Sequence, residues 1–353
     1  MQTIITGIGS YIPAIIKKNE DFLSSEFYDQ DQNKLSHSNE VIVQKFKDIT
    51  GIEERRYVSD DLKNSDIATF AAQKAIEDAK INPEEIDYII LAHNFGDVDH
   101  HSTQCDMLPS VASRVKHNLK IKNNNCIAYD IIFGCPGWIQ GIIQADAFIR
   151  SGLAKKCLII GSETLSRVVD PYDRDSMIYS DGAGACILEY SDSSKKGILG
   201  HAAQTFTLDE AHFLFNGSSY NPSESPSTHY IKMHGRKIYE FALNHVPLAM
   251  KAALDNSGVE IEKIKKVLIH QANEKMDEAI IQRFYRLYRQ KPPKGIMPMS
   301  IHKLGNSSVA TVPTLLDLIV KNKLEDQEIK EGDIILLASV GAGMNINALI
   351  YQV

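Results

Sequence analysis

The chain has 353 residues, 43% of them apolar and 24% charged, with a mean hydropathy of −0.20. Those proportions give a sizeable core and exclude a disordered, collagenous or fibrous chain. A net charge of −7 with scattered Lys and Arg argues against bulk nucleic-acid binding, and no apolar run approaches the roughly 18 residues a membrane span needs.

The opening Met1-Gln2-Thr3-Ile4-Ile5 has no basic segment before an apolar one and no cleavage pattern, so a cytoplasmic protein is expected. Helical periodicity covers Asp66–Lys80, and Pro83 then leads into the apolar strand Tyr88–Ala92. His93–Pro109 has no period and reads as a long loop of the kind used for lids or subunit contacts. Within it, Asp97-Val98-Asp99-His100-His101 offers metal-ligand types, but a polar loop explains the phrase as well and no metal is expected. The strand Ala128–Ile132 runs through a glycine turn to Cys135 and the helix Trp138–Ser151; the strand Leu158–Gly161 follows. Beyond the polar stretch Ser191–Lys196, Phe213–Thr228 again lacks a period and reads as a loop. Helices Tyr239–Ser257, Glu274–Tyr288 and Ala310–Lys321 then alternate with strands Val267–Ile269 and Ile334–Ala338.

Apolar strands alternating with helices are the α/β signature. A weak internal repeat organises it. One helix passes through Pro83 into a strand ending His93-Asn94; another passes through Val259-Glu260 into a strand ending His270-Gln271-Ala272-Asn273. Asp181-Gly182-Ala183-Gly184-Ala185 and Val340-Gly341-Ala342-Gly343-Met344 read as the same glycine-rich turn before a closing strand, and Cys135 and Asn306 each precede a helix. Two halves, 1–190 and 191–353, are expected.

Three residues carry candidate chemistry. Cys135 sits between a strand and a helix, with Pro136 expected at the first helical position, where amides and the helix dipole lower a thiol's pKa. His270 closes a strand, where side chains reach the ligand crevice of an α/β protein. Asn306 follows Gly305 at a tight turn. The plain readings are a buried thiol, a satisfied core or interface histidine, and a helix N-cap. Five cysteines without a C-x-x-C pair fit a reducing compartment, with Cys105, Cys126, Cys157 and Cys186 structural.

Taken in order, Gly7-Ile8-Gly9-Ser10-Tyr11-Ile12-Pro13, Thr50-Gly51-Ile52-Glu53-Glu54-Arg55-Arg56, the Cys135 turn, Asp170-Pro171-Tyr172-Asp173-Arg174 and Ser180-Asp181-Gly182 form one series with three later phrases. Those are His270-Gln271-Ala272-Asn273, Leu304-Gly305-Asn306-Ser307-Ser308 and Gly341-Ala342-Gly343. On these phrases the chain resembles the β-ketoacyl-ACP synthase III family of the thiolase superfamily. The resemblance implies a thiolase-like five-layered αβαβα fold with two pseudo-repeated halves, a homodimer, and decarboxylative condensation with a malonyl-type ACP thioester. It makes Cys135, His270 and Asn306 the catalytic set, with the backbone N–H groups of Cys135 and Ala342 as oxyanion hole. No bound cofactor is implied; acyl-CoA or acyl-ACP thioesters are the substrates, and acyl carrier protein is the partner.

The sequence also departs from the family pattern. Val41, Ile49 and Glu53 stand where a tryptophan and two arginines help hold the coenzyme A nucleotide, while Arg174 matches the remaining arginine. Glu240 replaces a basic carrier-docking residue, with Arg236, Lys237 and Lys275 nearby. The insertion within His93–Pro109 brings Leu108 to the loop that in the family gates the partner's acyl pocket. A donor longer than acetyl, delivered on a carrier protein, is therefore expected. The rival readings are a specialised secondary-metabolic ketosynthase or O-acyltransferase of the same fold, a Cys-His-Asn thiol hydrolase, and a non-catalytic partner subunit.

Overall fold

The computed structural model describes residues 2–192 and 196–353; of the boundary stretch Ser191–Lys196, residues 193–195 lie outside the described residues. β1 (Gln2–Tyr11) is followed by β2 (Ile15–Lys18), α1 (Asn39–Thr50) and β3 (Glu54–Tyr57). Then come α2 (Asn64–Ala79), β4 (Tyr88–Ala92), α3 (Val111–Asn118), β5 (Ile127–Ile131), α4 (Gly137–Arg150), β6 (Lys156–Thr164) and β7 (Asp181–Ser191). β8 (Gly197–Thr205) precedes a two-stranded ribbon of β9 (Leu214–Ser218) and β10 (His229–Met233). α5 (Gly235–Ser257), β11 (Ile264–Ile269), α6 (Glu274–Arg286), α7 (Ile301–Leu304), α8 (Thr311–Val320), β12 (Ile334–Gly341) and β13 (Asn345–Gln352) complete the chain.

One sheet has the order β1-β7-β6-β4-β5, the other β11-β12-β13-β8. Reading β8-β13-β12-β11 over β1-β7-β6-β4 gives the same succession of pairings, two antiparallel and then one parallel, so the repeat is architectural. α2 and α3 cover the outer face of the first sheet, and α5 and α6 that of the second. Between the sheets lie α4 and α8, where Trp138 and Ile142 pack with Leu315 and Leu316 against both inner faces. These are the five layers. β6 shows why its sequence is continuously apolar: Leu158 and Ile160 point into the outer core and Cys157 and Ile159 into the central one, as a strand's alternation requires.

Two sequence readings change. Phe213–Thr228 contains β9, whose Asn216-Gly217-Ser218 end is polar on both faces and so leaves no alternation to read. Asp181-Gly182-Ala183-Gly184-Ala185 is not a turn but the start of β7; glycine is needed at 184 because a Cβ there would lie 2.6 Å from the Pro313 ring on α8. Only Gly341–Met344 makes the turn.

The loop before Leu108 is tied down by charge. Arg114 reaches both Asp97 and Asp106 at 2.7 Å, Asp97 also accepts from the Ser65 amide and hydroxyl, and His100 faces Asp60. Among the described residues no three His, Cys, Asp or Glu side chains gather as a metal site, and no helix is long and apolar enough to cross a membrane.

Candidate active site

Four turns meet at one cavity of about 250 Å³. Beyond β5 the chain turns at Gly134 (φ +66°) and presents Cys135; Pro136 is the cap and α4 begins at Gly137, so the proline stands just outside the helix. At the end of β11, His270 donates its backbone N–H to Ala338 O at 2.8 Å, which fixes the ring's point of departure. Asn306 follows α7, its main chain bonded to Ile178 O at 3.0 Å and to Ser180 N at 2.8 Å. The Gly341–Met344 turn leans on the nucleophile turn so closely that a Cβ on Gly134 would lie 2.5 Å from Ala342 N. Asn345 pins the two together, donating to Ala342 O at 2.8 Å and to Phe133 O at 3.4 Å. Cys135, His270, Asn306 and Ala342 all line the cavity.

Burial dominates the electrostatics. The Cys135 thiol is pushed up to about 11 by desolvation, against which the Ser308 hydroxyl, 3.3 Å from Sγ, and the residue's own amide pull down. The depressed thiol expected from the helix terminus is therefore not what this balance gives: loss of water outweighs the pull of the Ser308 hydroxyl and of the residue's own amide. His270 is lowered to about 4 by the same cause, offset in part by the Ser308 backbone, so its ring is neutral at physiological pH. Its Nδ1 has no hydrogen-bond partner among the described residues. Asn306 Oδ1 accepts the Ser308 N–H at 2.8 Å, which leaves Nδ2 for the cavity.

The neighbouring phrase residues hold this frame. Gln271 donates to Pro298 O at 2.8 Å and accepts from the amides of Ser300 and Ile301, clamping the segment that leads into α7 and Asn306. Asn273 caps α6 through Met276 N. Buried Arg55 joins Met177 O to Asn19, and Asp170 and Asp173 share the buried Lys232.

A wider cavity of about 580 Å³ adjoins the first, sharing Ile178, Met233, Ile238, Ala272 and Met276. Arg174 lines it beside Asp175. Arg236 and Lys275 do not: the first is almost wholly exposed and pairs with Glu240 at 2.9 Å, and the second is exposed outside the rim. Glu53 is also outside, bound to Lys47 at 3.0 Å, so it does not oppose a phosphate there. Ile49 lines the wider cavity and Val41 does not. Leu108 is 89% exposed and lies away from the chain's own cavity. His37, Lys45, Asp175 and Tyr239 are wall residues that sequence reasoning missed. Lys45 had a readable signal: it precedes Ile49 by one helical turn and shares its face. Phe46 and Tyr239 bring aromatic rings to the same wall.

Comparison with known proteins gives a consistent likeness. The family model for 3-oxoacyl-[acyl-carrier-protein] synthase III matches residues 129–206, and its C-terminal counterpart matches residues 254–353. The β-ketoacyl-[acyl-carrier-protein] synthase III of Brucella anthropi is 30% identical over 357 residues, covering 100% of this chain and 99% of that one. The crystal structure of the Aquifex aeolicus 3-oxoacyl-[acyl-carrier-protein] synthase III superposes with a TM-score of 0.81 at 31% identity, covering 99% of this chain and 100% of that one. The priming β-ketosynthase of the R1128 polyketide pathway, at 23% identity, shares the fold with a TM-score of 0.81, covering 99% of this chain and 96% of that one.

Proposed function

The chain belongs to the 3-oxoacyl-ACP synthase III family, and on that premise we propose that Cys135 is the residue acylated in a decarboxylative condensation. The activity is that of a condensing acyltransferase, and membership of this family disfavours the thiol hydrolase reading. The observation that carries the assignment of roles is the convergence of Cys135, His270 and Asn306 on one apolar cavity.

In the first half-reaction Cys135 Sγ attacks the thioester carbonyl carbon, and the oxyanion lies between the N–H groups of Cys135 and Ala342. The carbon–sulfur bond to the carrier breaks, and the departing thiolate takes up the proton lost by Cys135. In the second, a malonyl-type thioester loses carbon dioxide, and its electron pair becomes an enolate. The His270 ring N–H and Asn306 Nδ2 donate to the enolate oxygen; a neutral imidazole suits this task, since it donates without having to give up a proton. The enolate carbon attacks the acyl group, the bond to Cys135 breaks, and a 3-oxoacyl thioester leaves. Separating the halves tests the roles. His270→Ala and Asn306→Ala retain self-acylation by intact mass but lose release of labelled carbon dioxide by roughly 10²–10³. Unimpaired decarboxylation would make both residues structural.

The acyl carrier protein is the partner this family membership supports. A homodimer is favoured by the edge strand β5 with Ile127 48% exposed, by Ile132 just beyond it at 63%, and by the protruding Leu108. Leu108→Asp should weaken that dimer in sedimentation at micromolar concentration; an unchanged sedimentation coefficient would exclude Leu108 from the interface.

A further inference from the structure

Behind the nucleophile lies a line of polar side chains that the reaction as written does not use. Glu163, on β6, is 1% exposed in the first sheet. It accepts from the side chain of Asn94, at the end of β4, and the same Asn94 Nδ2 donates to Ser308 Oγ at 3.3 Å. Ser308 Oγ in turn donates to Cys135 Sγ at 3.3 Å. Three segments far apart in sequence thus end on one sulfur.

The donor pattern has a direction. Burial raises the Glu163 pKa to about 7; above that pH it is a carboxylate that only accepts, and it compels Asn94 to present its NH₂ rather than its carbonyl. A serine hydroxyl has one proton and two lone pairs; with a lone pair engaged by Asn94, which cannot accept through that nitrogen, the proton is left for the sulfur. We propose that Asn94, anchored by Glu163, is a positioning residue for the nucleophile: it turns the Ser308 hydroxyl so that its proton supports the Cys135 thiolate as it forms. The inference rests on Cys135 being the nucleophile. Other titratable groups acting at the thiol are Glu163, whose charge opposes the thiolate, and Tyr179 and His270 across the cavity. A hydroxyl held as donor offsets part of the burial that disfavours the thiolate.

The test is alkylation of the full-length protein by iodoacetamide, with the modified cysteine identified by peptide mapping and the rate followed from about pH 8 to pH 9.5, above the Glu163 titration near 7. Ser308→Gly removes the hydroxyl at a position whose φ of +52° suits glycine, so its backbone is not strained. Asn94→Ala leaves Ser308 in place without its guide. Each should slow Cys135 alkylation about tenfold and displace the rate profile upward by about one pH unit. Asn94→Ala combined with Ser308→Gly should be no slower than Ser308→Gly alone, because Asn94 acts through that hydroxyl. Multiplicative losses, or an Asn94 variant with an unmoved profile, overturn the inference while leaving Cys135 as nucleophile. An acyl donor that labels another cysteine overturns both.

Discussion

Gly341 lies so close to the nucleophile that a methyl group on its α-carbon would stand 2.3 Å from the Cys135 amide nitrogen and 2.9 Å from the Pro136 ring. The atom in the way is backbone, so no rotamer change relieves the overlap. Gly341→Ala should therefore shift Cys135 N–H away from the developing oxyanion and cut acylation by roughly 10²–10³. Stopped-flow acylation alongside thermal unfolding checks it: a folded variant with normal acylation would mean that the two turns move apart freely.

His270 is held neutral by burial down to about pH 4. Once Cys135 has been acylated, so that its own titration is removed, decarboxylation should be flat between about pH 5.5 and pH 8. An inflection near the ordinary histidine value of 6.5 would show the ring to be solvated in the working enzyme. The folded value lies below the unfolded one, so the neutral ring contributes stability above pH 6.5 that is lost as the pH falls toward 4.

Asp175 faces the wider cavity with its pKa raised to about 6 by burial and then by Asp173. Above that pH its charge opposes a nucleotide phosphate and competes for Arg174, 3.9 Å away. Asp175→Asn should raise kcat/KM for acyl-CoA relative to the same acyl group on carrier protein by roughly twofold to fivefold at neutral pH. In the unaltered enzyme, lowering the pH through about 6 should move the ratio the same way. An unchanged ratio would place the nucleotide elsewhere on the surface.

Asp277 on α6 is completely buried, and neither carboxyl oxygen makes a well-formed hydrogen bond among the described residues. Burial pushes its pKa well above the usual range, against a weaker pull from the Asn273 backbone. A carboxyl whose folded pKa is raised favours folding fully only below its unfolded value of about 3.9, and that contribution is lost as the pH rises. Asp277→Leu should thus stabilise the protein by about 1–3 kcal/mol near pH 7 and by less at pH 4. Urea midpoints at the two pH values decide the matter; a destabilised variant would reveal a partner for the carboxylate.

Much of the architecture is readable in the chain. β4 spans Tyr88–Ala92, as its apolar run predicts, and α6 begins at Glu274, where Asn273 supplies the cap. The likeness of the two halves is written in His93-Asn94 and His270-Gln271, each following the fourth strand of the matching orders. What the chain conceals depends on depth and direction. The rise of the Cys135 thiol comes from water removed by four separate turns, none of which is its sequence neighbour except its own. Lys45 and Tyr239 meet only because α1 and the start of α5 face one another across the wider cavity. Asn94 passes for an ordinary loop residue until β4 and β6 lie side by side and bring it to Glu163.

The ribbon of β9 and β10 belongs to neither large sheet, yet Leu214, Phe215, Ile231 and Met233 form one wall of the reactive cavity. Cys135 and Asn306, by contrast, lead into α4 and α8, the layer enclosed by both sheets. The residues assigned to bond making thus adjoin the innermost layer of the molecule, while one wall of the cavity they face is a contiguous stretch appended from outside. Such a division makes the enzyme modular: a ribbon grafted from a homologue would change that wall while α4, α8 and the residues they position passed intact into the chimera, a route open equally to evolution and to engineering.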